Sequence, residues 1–199
     1  MDRRWVIVAF GDIRGFGSWT YRGSNSREIL DPFINRFYRT MKEYVRRYKG
    51  YRFKYLGDGF MVLREFTAEE RTNGAVFEFV KSLIEITRKA REDVEKCAWP
   101  RPDGFRIRIV EGHACKIMVL DPNDPKRRRR IPEYVEYPIN TAQRLLEVNP
   151  ETLCLATEGV ITALGKYRSS FRVQPLKKPS CYPRGVNRED IDGLHVIAF

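Results

Sequence analysis

Long apolar runs are missing from this chain of 199 residues, and their absence excludes a membrane-spanning helix. The N-terminus reads Met-Asp-Arg-Arg and then a short apolar stretch, Trp5–Phe10, which is too little for the apolar region of a secretory leader. Cysteine is sparse as well. Cys97, Cys115, Cys154 and Cys181 lie far apart and form no C-x-x-C pair, which points to scattered buried thiols in a reducing cytoplasm. A zinc site or a disulfide framework is not expected. Internal repeats, low-complexity tracts and linkers are lacking too, so residues 1–199 read as one domain. Acidic residues fall short of basic ones, 26 against 37, leaving a net charge of +11 that attracts polyanions such as nucleoside triphosphates or nucleic acid. The densest basic block, Lys126–Arg130, reads first as a solvated loop, and nucleic acid is not the expected partner.

The chain does have apolar content enough for a folded core, 42% hydrophobic with 13% aromatic. Trp5–Phe10 reads as a buried strand. Ile29, Leu30, Phe33, Ile34, Phe37, Met41, Tyr44 and Val45 recur at helical spacing, with Gly50 placed to end the helix. Tyr51–Leu56 and Phe60–Leu63 read as a hairpin turned by Gly57-Asp58-Gly59. A second helix is expected over 73–96, then two strands bracketing Gly112 at 105–110 and 113–120. A short helix should open near Pro138, followed by a strand at 152–156, a helix at 158–164 and a last strand at 194–199. Residues 169–190 give no clear pattern. The order βαββαβ predicts an α+β fold of the ferredoxin-like split βαβ type, a mostly antiparallel sheet with helices packed on it.

Two aspartates stand where strands should meet turns. Phe10-Gly11-Asp12-Ile13-Arg14-Gly15-Phe16 follows the first strand, and Lys54-Tyr55-Leu56-Gly57-Asp58-Gly59-Phe60 spans the hairpin. Carboxylates on rigid strand ends, beside glycines that let backbone N–H groups approach, suit a divalent metal and phosphate together. In Asn140-Thr141-Ala142-Gln143-Arg144 the first and last residues are four apart and share one helix face.

Together these three segments resemble the catalytic domain of class III nucleotidyl cyclases. The resemblance implies that Asp12 and Asp58, with the carbonyl of Ile13, hold two divalent ions, Mn²⁺ or Mg²⁺. It implies that Arg14, Gly15, Phe16 and Gly57 cradle the phosphates of a nucleoside triphosphate. Asn140 would orient the ribose, Arg144 would stabilise charge on the α-phosphate, and Lys54 with Glu133 would read the base. It further implies a homodimer whose sites combine Asp12 and Asp58 of one chain with Lys54, Asn140 and Arg144 of the other.

Several positions depart from that family's pattern. Glu136 stands where a glycine is usual, Arg108 replaces a small residue within Arg106–Gly112, and His113 takes a position where some members place a phosphate-binding arginine. The usual glycine-flanked lysine before the last strand is missing, with Lys177, Lys178 or Arg184 as substitutes. Tyr51, Tyr55, Tyr134 and Tyr137 crowd the region of the base, as packing or as a pocket narrowed for a single ring. A bare catalytic domain with altered base surroundings resembles the pyrimidine cyclases of the Pycsar antiphage system. That resemblance implies cyclic UMP, or next cyclic CMP, made for a separate effector protein. An adenylate or guanylate cyclase, or a nucleotide sensor without turnover, are the alternatives. The adjacent acidic pair of a polymerase palm is absent, since Asp58 is flanked by glycines.

Overall fold

The computed structural model describes residues 2–22, 34–41, 43–44, 51–96, 103–121, 123–124, 126 and 128–198. The apolar run near the N-terminus becomes the centre of the sheet. β1 (Asp2–Arg14) sends Ile7, Ala9 and Ile13 to one buried face and Val6, Val8 and Phe10 to the other. Burial on both faces is why this stretch reads as continuously apolar.

β1 pairs antiparallel with β3 (Gly59–Glu65) and with β4 (Gly104–Leu120). β2 (Arg52–Leu56) adds outside β3. On the other side follow β6 (Cys154–Ala156), β8 (His195–Ala198) and β7 (Arg172–Pro175), giving the order β2-β3-β1-β4-β6-β8-β7. β5 (Arg130–Val135) pairs with the far half of β4 and completes eight strands. Among these pairings only β4 with β6 is parallel. The expected α+β architecture is thus the observed one.

Two layers cover the sheet. On the Ile7 face lie α2, helical at residues 34–41 and 43–44, and α3 (Ala75–Glu95), which buries Val76, Phe79, Val80 and Leu83. On the Val6 face lies α4 (Tyr137–Arg144), continued by a 3₁₀ turn at Leu145–Glu147; Ala142, Leu145 and Val148 pack there with Val8, Phe10 and Val110. Three short helices complete the order: α1 (Phe16–Arg22), α5 (Glu158–Ala163) and α6 (Arg188–Asp192).

Some expectations are corrected. β4 is a single strand, because Gly112 stays paired with Val6 inside the ladder and lets Pro138 pack close, 3.4 Å from where a Cβ would stand. β5 was not expected, since Pro132 and the preceding basic block mask it; proline is tolerated there because, among the described residues, β5 pairs with β4 alone. α1 was not expected either. The tail contains β7 and α6. The expected ends of the first helix, at Ile29–Phe33 and Val45–Gly50, lie outside the described residues, as does Cys97. Cys115 and Cys154 are free and buried, and Cys181 is free and half-buried. No helix among the described residues is long and apolar enough to cross a membrane.

Candidate active site

Asp12 and Asp58 meet at one end of the sheet. Asp12 lies near the end of β1, opposite Gly59 of β3 and Arg106 of β4. Asp58 sits in the two-residue turn between β2 and β3, where Gly57 adopts φ +72°. The Ile13 N–H donates to the Asp58 carbonyl (3.3 Å), so the Ile13 carbonyl, on the same edge of β1, also faces the turn. At Gly59 a Cβ would stand 2.4 Å from the Gly11 carbonyl; only glycine lets β3 approach β1 this closely beside the two acids. From α2, the Tyr38 hydroxyl donates to the Gly57 carbonyl.

The two carboxylates sense each other. Burial first, and the Asp12 charge second, push the Asp58 carboxyl above its ordinary range, against the opposing pull of a backbone N–H and of Arg106. Arg106 donates to Asp12 Oδ2 from Nε (3.1 Å) and Nη2 (2.7 Å). Mutually repelling carboxylates beside a backbone carbonyl form a hard oxygen set that fits Mg²⁺ or Mn²⁺. No group of three or more His, Cys, Asp or Glu side chains that could hold a metal occurs among the described residues, so this fit depends on further oxygens from a ligand such as a triphosphate.

The expected phosphate turn is distributed differently from the sequence reading. Arg14 is the last residue of β1, paired with Gly104, and its guanidinium lies on Glu151 (2.5 and 2.6 Å). Gly15 alone is the turn, and Phe16 opens α1 with its ring against Trp19 (5.7 Å between centroids). His113 pairs with Trp5, well along β1 from Asp12.

Lys54 and Glu133 come together. The Lys54 ammonium donates to the Glu133 carboxylate, although 79 residues separate them. Glu133 is carried there by β5, whose neighbouring Tyr134 donates to Glu65 at the end of β3; Lys116 binds the same carboxylate (2.7 Å). The tyrosines do not converge on this pair. Tyr51 and Tyr55 lie on the opposite face of β2 from Lys54, Tyr51 against Phe79 (4.7 Å) and Tyr55 against Tyr38 (4.4 Å). Tyr137 donates to Asp190. Of the two readings left open for these side chains, packing is the one the geometry supports.

Asn140 and Arg144 are both exposed on α4. The Arg144 guanidinium donates to the Arg184 carbonyl and abuts Gly185, so of the three cations considered as lysine substitutes it is the Arg184 region that reaches this helix. Among the described residues, no hydrogen bond or ion pair joins Asn140 or Arg144 to Asp12 or Asp58. Within one chain the acids, the Lys54–Glu133 pair and the Asn140–Arg144 face are three groups with no hydrogen bond or ion pair between them among the described residues. Sequence reading missed the hold of Arg106 on Asp12, the Tyr38 bond and the burial of Arg108. The alternation of Arg106 and Arg108 on the inward face of β4 was the available signal. The basic block is organised at its start by Asp124, which accepts the N–H groups of Lys126, Arg128 and Arg129, while the side chains of Lys126, Arg128, Arg129 and Arg130 are exposed.

A family model described as the adenylate and guanylate cyclase catalytic domain matches residues 2–117. Among solved structures, the guanylyl cyclase Cya2 is similar at 21% identity and a TM-score of 0.66, over 98% of this chain and 91% of that one. The guanylate cyclase domain of RhGC from Catenaria anguillulae, in complex with GTP, is similar at 17% identity and a TM-score of 0.67, over 100% and 98%. The adenylyl cyclase CyaB from P. aeruginosa is similar at 15% identity and a TM-score of 0.61, over 100% and 95%. No curated protein sequence matches.

Proposed function

Because this chain belongs to the family of adenylate and guanylate cyclase catalytic domains, we propose that residues 1–199 act as one nucleotidyl cyclase domain that turns over a nucleoside triphosphate. In that reaction the ribose 3′-oxygen bonds to the α-phosphorus, the bond to the bridging oxygen of the β-phosphate breaks, and pyrophosphate and the hydroxyl proton leave. The observation that carries the reading is the Asp12–Asp58 pair, two carboxylates brought together by a two-residue turn and a glycine contact and facing one arginine, Arg106, against their two charges.

Asp12, Asp58 and the Ile13 carbonyl would hold two Mg²⁺ or Mn²⁺ ions. When bound, such ions favour the 3′-alkoxide and neutralise the β- and γ-phosphates. Asn140 orients the ribose, and Arg144 meets the charge that develops on the α-phosphate, where a preorganised cation in a water-poor site acts most strongly. Backbone N–H groups of the Arg14–Phe16 segment and of Gly57 receive the phosphates. No hydrogen bond or ion pair among the described residues joins the acids to Asn140 or Arg144, and a second copy completes the site. The exposed Ile117, Met118, Leu120 and Val135 of the β4–β5 hairpin supply apolar surface for that contact.

Lys54 and Glu133 read the base edge as a donor beside an acceptor. For uracil the ammonium donates to O4 and the carboxylate accepts from N3–H; for adenine they meet N1 and the amino group. The smaller base is favoured by the rebuilt surroundings, where Glu133, Glu136 and Arg108 replace the residues usual in purine cyclases and the Arg108 side chain fills space beneath α4. The substrate is then UTP, with CTP next, and the product is a cytoplasmic messenger for a separate effector in antiphage defence.

Incubating the protein with ATP, GTP, CTP or UTP and Mn²⁺, with products identified by mass spectrometry, tests both levels. Cyclic UMP or cyclic CMP is expected. Cyclic AMP or cyclic GMP would keep the cyclase and overturn the pyrimidine reading. Tight triphosphate binding with no pyrophosphate release would make the domain a sensor.

A further inference from the structure

Arg108 stands on β4 opposite Phe10, two residues beyond Arg106, and is fully buried. Among the described residues no carboxylate forms an ion pair with it. Instead every N–H of its guanidinium reaches a backbone carbonyl: Nε donates to Leu145 (2.9 Å), Nη1 to Ile107 (2.8 Å) and Thr152 (3.0 Å), and Nη2 to Val148 (2.8 Å) and Asn149 (3.0 Å). Five donors are all that an arginine has. Four of the acceptors belong to residues 145–152, where α4 ends through its 3₁₀ turn and the chain heads for β6. Helix ends leave carbonyls without partners and carry partial negative charge, so this guanidinium is balanced by dipoles in place of a counter-ion. Water is excluded so fully that burial draws the guanidinium down to about 10.

The clamp is connected both to the acids and to Arg144. Leu145, held by Nε, follows directly on Arg144. Along the same strand, Arg106 holds Asp12. A plain core filler would not need five donors, and a leucine or methionine would leave carbonyls of the helix end without partners. Lysine offers three donors from one point and cannot span carbonyls spread over 107 and 145–152.

We infer that Arg108 is a positioning residue for the cyclisation: its guanidinium fixes the end of α4 to β4 and so sets where Arg144 stands against the α-phosphate. The inference deepens the proposed function and rests on its placing of Arg144 at a site shared between two chains. A displacement of this helix end by even 1 Å would act on the transition state while leaving nucleotide affinity largely intact, because Arg144 contributes to charge development and Lys54 with Glu133 to binding. The clamp therefore acts on kcat.

Two variants test it, R108K and the neutral R108Q, the second avoiding a buried charge that lacks partners. Both are compared with wild type by thermal melting and by kinetics on the substrate identified from the four triphosphates. In whichever variant melts cooperatively, kcat falls about 10- to 100-fold, with KM changed by less than about twofold and R108K losing less than R108Q. An unchanged kcat, or a loss carried by KM, overturns the inference. Mixed dimers then separate positioning from general weakening. When Asp58→Ala chains are mixed with Arg144→Ala chains, each restored site takes Arg144 from the Asp58→Ala chain. R108K placed in that chain should cut the restored activity, and placed in the Arg144→Ala chain it should spare it. Equal loss from both placements overturns the inference. Failure of the parent mixture to regain activity refutes the shared site instead, and the kcat–KM split in unmixed dimers then decides on Arg108 alone.

Discussion

At Glu136 the backbone holds φ 98° and ψ −167°, a region that is almost entirely glycine's. The strain lies at the base of α4, since the Asn140 N–H bonds back to the Glu136 carbonyl (3.4 Å). Such a conformation costs on the order of 1–3 kcal/mol in a residue with a Cβ. Glycine would release it and return part through the greater freedom of its unfolded chain. The exposed contact of Glu136 with Arg3 (3.5 Å) is too weak to reverse the balance. Glu136→Gly is therefore expected to stabilise by about 1 kcal/mol, a rise of about 2–4 °C in melting temperature for a chain of this size. A lower melting temperature would mean that the carboxylate holds more than the strain it imposes. The sequence marks position 136 as a departure from glycine, but it cannot say that the backbone kept glycine's conformation. The same limit explains Arg106 and Arg108. Asp12 and Asp58 were legible because strand runs and turn glycines surround them locally, whereas Arg106 reaches its partner across 94 residues and Arg108 across as many as 44.

The β4–β5 hairpin shows what a single element does for the site. β5 brings Glu133 to Lys54, and it is secured by Glu65 at the end of β3, which accepts from Lys116 and Tyr134. Burial alone would raise the Glu65 carboxyl, but the Lys116 and Tyr134 hydrogen bonds outweigh it and hold the group below the ordinary glutamate range. A carboxylate depressed in the folded state stabilises above its unfolded pKa, and that contribution is lost as pH falls through the folded value. Glu65→Gln should then be less stable than wild type at pH 7, by about 1 kcal/mol, with the difference shrinking as the pH drops below about 4. Urea unfolding of both proteins across that range isolates this carboxylate from the others. A constant gap would show that Glu65 is held by packing and not by charge. Helices and strands with strong periodicity, such as α3 and the β2–β3 hairpin, were legible from spacing. β5 was not, because its pattern is broken by Pro132 and its stability comes from β4 and Glu65 more than from its own residues.

Across the whole molecule, the Val6 face of the sheet gathers Asp12, Lys54, Arg108 and α4, yet among the described residues no hydrogen bond or ion pair joins the acids to Asn140 or Arg144. Spacing along the chain identifies the acids and the Asn140–Arg144 pair but carries no information on how folding places them relative to each other. In the proposed two-fold dimer the acids of each chain would pair with α4 of the other, giving two equivalent sites. The consequence is arithmetic. Equal amounts of inactive Asp58→Ala and inactive Arg144→Ala chains, exchanged at random, form mixed dimers as about half of the population, each with one of two sites intact. Activity should return to about one quarter of the wild-type level at equal total protein. It should also fall per chain on dilution, as the dimer dissociates. Recovery well below that fraction, with mixed dimers shown to form by mass, would place all four residues in one chain's site and require a movement of α4 that closes the gap. Recovery near one quarter would assign the acids and the arginine to different chains with no further assumption, since neither parent can supply both.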